Sequence, residues 1–144
     1  MKKRVIAAVC LCLTLLALSG CVNRIDDSLP DDPLEFLTHT FINPADQNDT
    51  YLALEYDGRV YIPYGNLAGS IDGNDVVGYY VQDGNKMEDT RIFLLANDSD
   101  ANFLMRMDLV GVMSQPDFFR AVDTKGEEID IPQFIHAMDD PFWN

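Results

Sequence analysis

Tyr51-Leu52-Ala53-Leu54-Glu55-Tyr56-Asp57-Gly58-Arg59-Val60-Tyr61-Ile62 is the stretch that decides the fold class. Two runs rich in aromatic and aliphatic side chains flank Asp57-Gly58, a dipeptide that accepts positive φ at low cost. A two-residue turn of that kind has the backbone twist that flanking strands need, so the pattern predicts an antiparallel hairpin of Tyr51–Tyr56 with Arg59–Ile62. Downstream, Pro63 and Gly65 read as the end of the second strand, followed by a loop through Asn66, Gly69, Ser70, Asp72, Gly73 and Asn74. Val76–Gln82 and Thr90–Ala96 form a second expected pair around Asp83-Gly84-Asn85. Phe103–Met107 resumes after Asn97-Asp98-Ser99-Asp100, with Leu109–Met113 continuing it. Phe118–Val122 and Glu127–Ile131 flank Thr124-Lys125-Gly126 as a third expected hairpin. Strands alternating with turns at such short spacing predict an all-β fold of mainly antiparallel hairpins, a small sandwich or barrel.

The ends of the chain predict minor helix. Asp32-Pro33 has the form of an N-cap with a first-turn proline, and Leu34, Phe36, Leu37 and Phe41 follow as the apolar face of a short helix ended by Pro44. Phe134, Ile135, Met138, Phe142 and Trp143 are too apolar for a free tail and are expected to dock on the sheet as a short helix or a closing strap. No internal repeat is evident.

The first twenty residues have a different character. Lys2, Lys3 and Arg4 precede an apolar run from Val5 to Ala17. That run reaches about 20 Å as a helix, short of a hydrocarbon core of about 30 Å, which suits a leader better than a membrane span. Leu18-Ser19-Gly20-Cys21 follows. It resembles the lipobox of bacterial lipoproteins: an aliphatic residue, two small residues that let an extended backbone enter a narrow peptidase site, then cysteine. The resemblance implies cleavage before Cys21, a diacylglyceryl group on its sulfur, and attachment through that lipid to the extracytoplasmic side of a cell membrane or outer membrane. Val22 stands where an aspartate is associated with inner-membrane retention. Organisation then reads as a leader over 1–20, a lipidated start and acidic tether over 21–32, and one globular β-rich domain over 33–144. That domain is similar to the many small bacterial lipoproteins of unassigned function.

Cysteine usage agrees with this division. Cys10 and Cys12 lie in the apolar run, leaving Cys21 alone after cleavage, with no thiol pair for a disulfide or a zinc site. Three of the ten basic residues lie in the leader and none of the 24 acidic ones does, so formal charge goes from −14 to −17 on cleavage. Such a surface repels nucleic acid and anionic headgroups, and the expected partner is an envelope or extracellular protein.

Within the domain, site signals are sparse. Asp98, Asp100 and Asn102 match the first oxygen positions of a calcium loop, but Phe103 stands where that loop needs glycine and Leu109 where it needs glutamate. Asp72, Asn74 and Asp75 make a second, weaker oxygen-rich turn; ordinary turn chemistry is the favoured reading of both, and no metal is expected. His39 and His136 are the two histidines. No serine lies in G-x-S-x-G, and carboxylate pairs such as Glu127 with Asp130 or Asp139 with Asp140 arise readily among 24 acids. No cofactor and no catalytic set is expected. Tyr51, Tyr56, Tyr61, Tyr64, Tyr79 and Tyr80 offer rings with polar tips suited to a recognition surface, although strand alternation also sends such rings into cores. The leading expectation is a surface-tethered binding or interaction module. A small surface hydrolase or cell-wall enzyme using Asp, Glu or His is the alternative from another class, and a cation-binding or structural envelope protein is the third.

Overall fold

A computed structural model of the chain describes residues 26–71, 74–110 and 115–144. The leader, Cys21, Asp72 and the far end of the expected Leu109–Met113 strand lie outside the described residues. The rest is all-β, with nine strands: β1 Leu34–Ile42, β2 Thr50–Tyr56, β3 Arg59–Leu67, β4 Asp75–Gln82, β5 Asn85–Lys86, β6 Thr90–Leu94, β7 Phe103–Asp108, β8 Asp117–Ala121 and β9 Ile135–Ala137. Seven of them close in the order β1-β2-β3-β8-β7-β6-β4 back to β1, so the choice between sandwich and barrel falls to the barrel. β5 pairs with the end of β4, and β9 pairs with β3.

The hairpin at Asp57-Gly58 forms as its turn chemistry dictates, with φ of 48° and 74° at the two turn residues. Asp83 and Gly84, at 52° and 78°, repeat the device between β4 and β5. Closure is made differently. β1 spends its C-terminal half, from Thr38, on an antiparallel pairing with β2, and its N-terminal half, Leu34–Leu37, on a parallel pairing with β4. That second pairing requires Gly78, because a Cβ there would lie 2.0 Å from the Leu34 carbonyl oxygen.

Several sequence expectations are corrected here. Leu34–Phe41 is strand, not helix: Thr38, Thr40 and Ile42 suit a pleated surface, and partners on both sides supply hydrogen bonds that a lone short helix would have to make itself. The second hairpin strand does not stop at Pro63. It continues to Leu67 through a bulge between Pro63 and Gly65, and a Cβ on Gly65 would sit 2.5 Å from the His136 carbonyl oxygen of β9. The third hairpin is absent. β8 already has β3 on one edge and β7 on the other, so Glu127–Ile131 has no edge to join, and the chain leaves β8 through a 3-10 turn at Val122–Thr124. Apart from that turn the described residues contain no helix, at either end. β7 ends at Asp108, and Leu109 and Val110 leave the sheet.

Both faces of much of the sheet are covered. Phe36, Leu54, Tyr61, Tyr80, Ile92, Leu104, Phe119 and Ala121 fill the barrel interior. Their neighbours along the strands point outward, so Phe93, Phe103, Met105 and Phe118 would face water. They do not, because Phe134, Ile135 and Trp143 of the C-terminal segment pack over them with Ile71 and Tyr64. Phe142 covers Ala53 and Ile62 beside them. The tail is therefore a closing strap, held in part by the Trp143 indole N–H donating to the Pro63 carbonyl at 2.9 Å.

Candidate functional site

The Asp98–Asn102 turn is occupied by the protein's own cation. Arg59, the first residue after the Asp57-Gly58 turn, donates from its guanidinium to the Asp100 carbonyl at 2.6 Å, the Ala101 carbonyl at 3.1 Å and Asn102 Oδ1 at 3.2 Å. It also holds Asp123 at 2.8 Å, and this pairing keeps the Asp123 carboxyl below its ordinary 3.8. Asp98 Oδ2 accepts from the Phe103 amide at 2.7 Å. Of the side-chain oxygens that resembled a calcium loop, Asn102 Oδ1 is thus turned to a guanidinium and Asp98 Oδ2 to a backbone amide, while Asp100 is exposed and gives Arg59 only its main-chain carbonyl. Among the described residues no three His, Cys, Asp or Glu side chains gather as a metal site.

The six tyrosines do not share one surface. Tyr61 and Tyr80 point into the barrel, and the Tyr61 hydroxyl donates to the Ala101 carbonyl at 2.7 Å while burial pushes its pKa up to about 12. Tyr64 lies under the strap, its ring edge-on to Trp143 at 5.4 Å. Tyr79 is buried beside Glu35 and Lys86. Only Tyr51 and Tyr56 are half-buried rather than buried. Tyr51 belongs to the strap's seating: its hydroxyl lies 2.7 Å from Asp49 Oδ2 and 2.9 Å from Asp140 Oδ1, joining the β1–β2 loop to the tail. Burial, then those two carboxylates, holds its proton more tightly than usual. His39 and His136 are both exposed, on β1 and β9, and line neither the hollow beside Glu55 nor the one beside Asp130. Glu127 and Asp130 sit in the exposed segment after β8, and Asp139 and Asp140 in the strap.

One feature of the wall was not legible as a site. β1 and β2 are in register from Ile42↔Thr50 down to Thr38↔Leu54 and then part, as β1 turns toward β4. The same register would set Phe36 opposite Tyr56, and those two rings still stack across the gap, centroids 5.7 Å apart and planes at 20°. Outside them lies an open cleft of about 500 Å³, lined by Leu34, Glu35, Phe36, Glu55, Tyr56 and Asp57. Its apolar lining comes from Leu34 and Tyr56 over the buried Phe36, and its rim carries three carboxylates. Glu35 is paired with Lys86, which holds the Glu35 carboxyl below its usual range. Glu55 and Asp57 are exposed and take part in none of the ion pairs among the described residues. Leu34, on the rim, is 47% exposed. The signal available beforehand was indirect: Glu55-Tyr56-Asp57 reads as the polar end of a hairpin, and nothing local says that its neighbour strand diverges.

A second hollow of about 400 Å³ lies between the end of β6 and the start of the strap, with Leu95, Asn97, Asp130, Ile131 and Phe134 among its walls. The Asn74 amide nitrogen at its edge is buried and has no hydrogen-bond partner among the described residues. Comparison with protein-family models, with curated proteins and with solved structures finds no match.

Proposed function

We propose that this chain is a lipid-anchored lipoprotein of the extracytoplasmic cell envelope whose barrel is a binding module rather than an enzyme. The anchor rests on Leu18-Ser19-Gly20-Cys21 standing in register behind a basic start and an apolar run too short to span a membrane. Two acyl chains hold firmly where one binds marginally, since each buried CH2 contributes about 0.8 kcal/mol. The acidic stretch Asp26, Asp27, Asp31 and Asp32 then acts as a spacer that an anionic membrane surface repels, keeping the barrel clear of the headgroups.

The observation that carries the binding half is the cleft between β1 and β2. It joins exposed apolar surface to unpaired carboxylates and unpaired strand edges, and no Ser, Cys or His lines it. Recognition is what such a surface can do. The hydrolase alternative would have to work through Glu35, Glu55 and Asp57 alone, since neither histidine lines the cleft.

The anchor is tested by expressing the full chain with radiolabelled palmitate beside a Cys21→Ala variant. The parent is expected to take up label, reach the processed mass and partition into detergent, while the variant takes up none and keeps its leader. A Cys21→Ala chain of the same processed mass and the same detergent partitioning would end the lipoprotein reading.

A further inference from the structure

Resting on the binding reading above, we infer that the β1–β2 cleft takes an extended, basic segment of a partner protein as an added strand along β1. The main chain of β1 from Leu34 to Leu37 is paired to β4 on one side only; on the other, the register with β2 stops at Thr38↔Leu54. β2 beyond Leu54 is likewise paired to β3 only. As whole strands the wall is closed, each strand having a neighbour on both sides. Here a short run of backbone N–H and C=O groups faces an open cleft, which is the template that an incoming strand completes. Four residues of edge span about 13 Å at roughly 3.3 Å each, enough for a short strand and too little for a large flat interface.

The side chains set the chemistry of the occupant. Alternate residues of an added strand fall on the side of Leu34 and Tyr56, with Phe36 buried beneath them, and the residues between meet Glu55 and Asp57. An apolar–basic alternation satisfies both. Charge also decides between possible occupants. The chain's own tether brings Asp26, Asp27, Asp31 and Asp32, and a second copy brings a formal charge of −14 to a rim that is already acidic. Both are repelled, and a partner with Lys or Arg at alternate positions is drawn in.

The test uses the full chain in detergent and fluorescent nine-residue peptides of alternating Lys and Val. Three comparisons separate strand addition from mere attraction to an acidic protein. Methylating alternate peptide amides, which keeps charge and removes backbone donors, is expected to weaken binding at least tenfold. Glu55→Lys is expected to weaken it about tenfold, whereas Glu127→Lys, the same charge change on an exposed loop, shifts it less than twofold. Amide exchange at Glu35–Leu37 is expected to slow on binding. Equal affinity for the methylated peptide, equal losses in the two variants, no binding at all, or self-association of the peptide-free chain that protects the same amides would each overturn the proposal. Loss of membrane attachment with peptide binding intact would instead count against the anchor alone.

Discussion

Gly78 and Gly58 are both glycines in a strand-and-turn protein, yet substitution at each should fail for a different reason. At Gly58 a Cβ would meet nothing within 4 Å, so the cost of Gly58→Ala is the φ of +74° alone, about 1 kcal/mol. At Gly78 the added methyl would lie 2.0 Å from a backbone oxygen of β1, which can move only by opening the parallel pairing that closes the barrel. Gly78→Ala is therefore expected to cost about 3 kcal/mol or more. Thermal melts of the two variants should rank Gly78→Ala well below Gly58→Ala, and equal melting points would show that β1 can draw away from β4 at little cost. A second residue-scale expectation concerns the Arg59–Asp123 pair. Arg59 keeps the Asp123 carboxyl below its ordinary 3.8, so the pair's contribution is complete above that pH and is lost as pH falls through the lower folded-state value. Asp123 is exposed, so the contribution is about 0.5 kcal/mol. The stability gap between the parent and Asp123→Asn is expected to be constant from pH 7 to about 4 and to shrink below it. A gap that persists at pH 2 would assign the loss to packing.

At the scale of elements, the strap is where most of the exposed-looking apolar sequence goes. Removing Pro141–Asn144 deletes Phe142, which is 3% exposed, and Trp143, whose ring lies 4.9 Å from the guanidinium carbon of Arg120. Arg120 is buried and has no carboxylate partner among the described residues; Thr124 Oγ1 and the Thr124 carbonyl accept from it, and the mutually perpendicular Trp143 and Tyr64 rings lie beside it, 4.9 and 5.2 Å from its guanidinium carbon. The truncation strips one ring from that charge as well as two anchors from the sheet. It is expected to cost on the order of 3–5 kcal/mol by chemical denaturation, and an unchanged midpoint would mean that the strap does not seal the outer face. The same strap explains which elements could be read in advance. Asp57-Gly58 and Asp83-Gly84 are local turn chemistry, so both turns were legible. β1 was not, because its helix-like start is overruled by partners at Leu52–Leu54 and Gly78–Val81. Glu127–Ile131 has strand-like residues, but whether β8 has a free edge is a property of the topology. Period-two alternation normally separates a wet face from a dry one; here the strap dries the outer face too, so Tyr64 and Phe118 could not be told from surface residues by pattern. The Arg59 contacts to the acidic turn were illegible for a similar reason, since Arg59 comes from a distant part of the sequence.

For the whole molecule, the dominant long-range quantity is charge, −14 over the full chain and −17 if cleavage falls before Cys21. Only three ion pairs are present among the described residues, and all three are at least partly exposed. Such pairs contribute about 0.5 kcal/mol each, so screening them away costs little. Repulsion outweighs them. Two unit charges about 20 Å apart in water repel by roughly 0.2 kcal/mol, but seventeen excess charges form roughly 140 such pairs, and folding draws them closer together than the unfolded chain holds them. Even if the unfolded state keeps most of that energy, a few kcal/mol separate the two states at low salt. The Debye length contracts from about 30 Å at 0.01 M to about 8 Å at 0.15 M, which removes most of the difference. The melting temperature is therefore expected to rise by several degrees between 0.01 and 0.15 M sodium chloride and to level off above that range. Sodium and potassium should act alike, because screening depends on ionic strength and not on a fitted site. A melting temperature that falls across that interval would mean that attractive pairs outweigh the repulsion. A rise specific to one cation would place that ion in a site of its own.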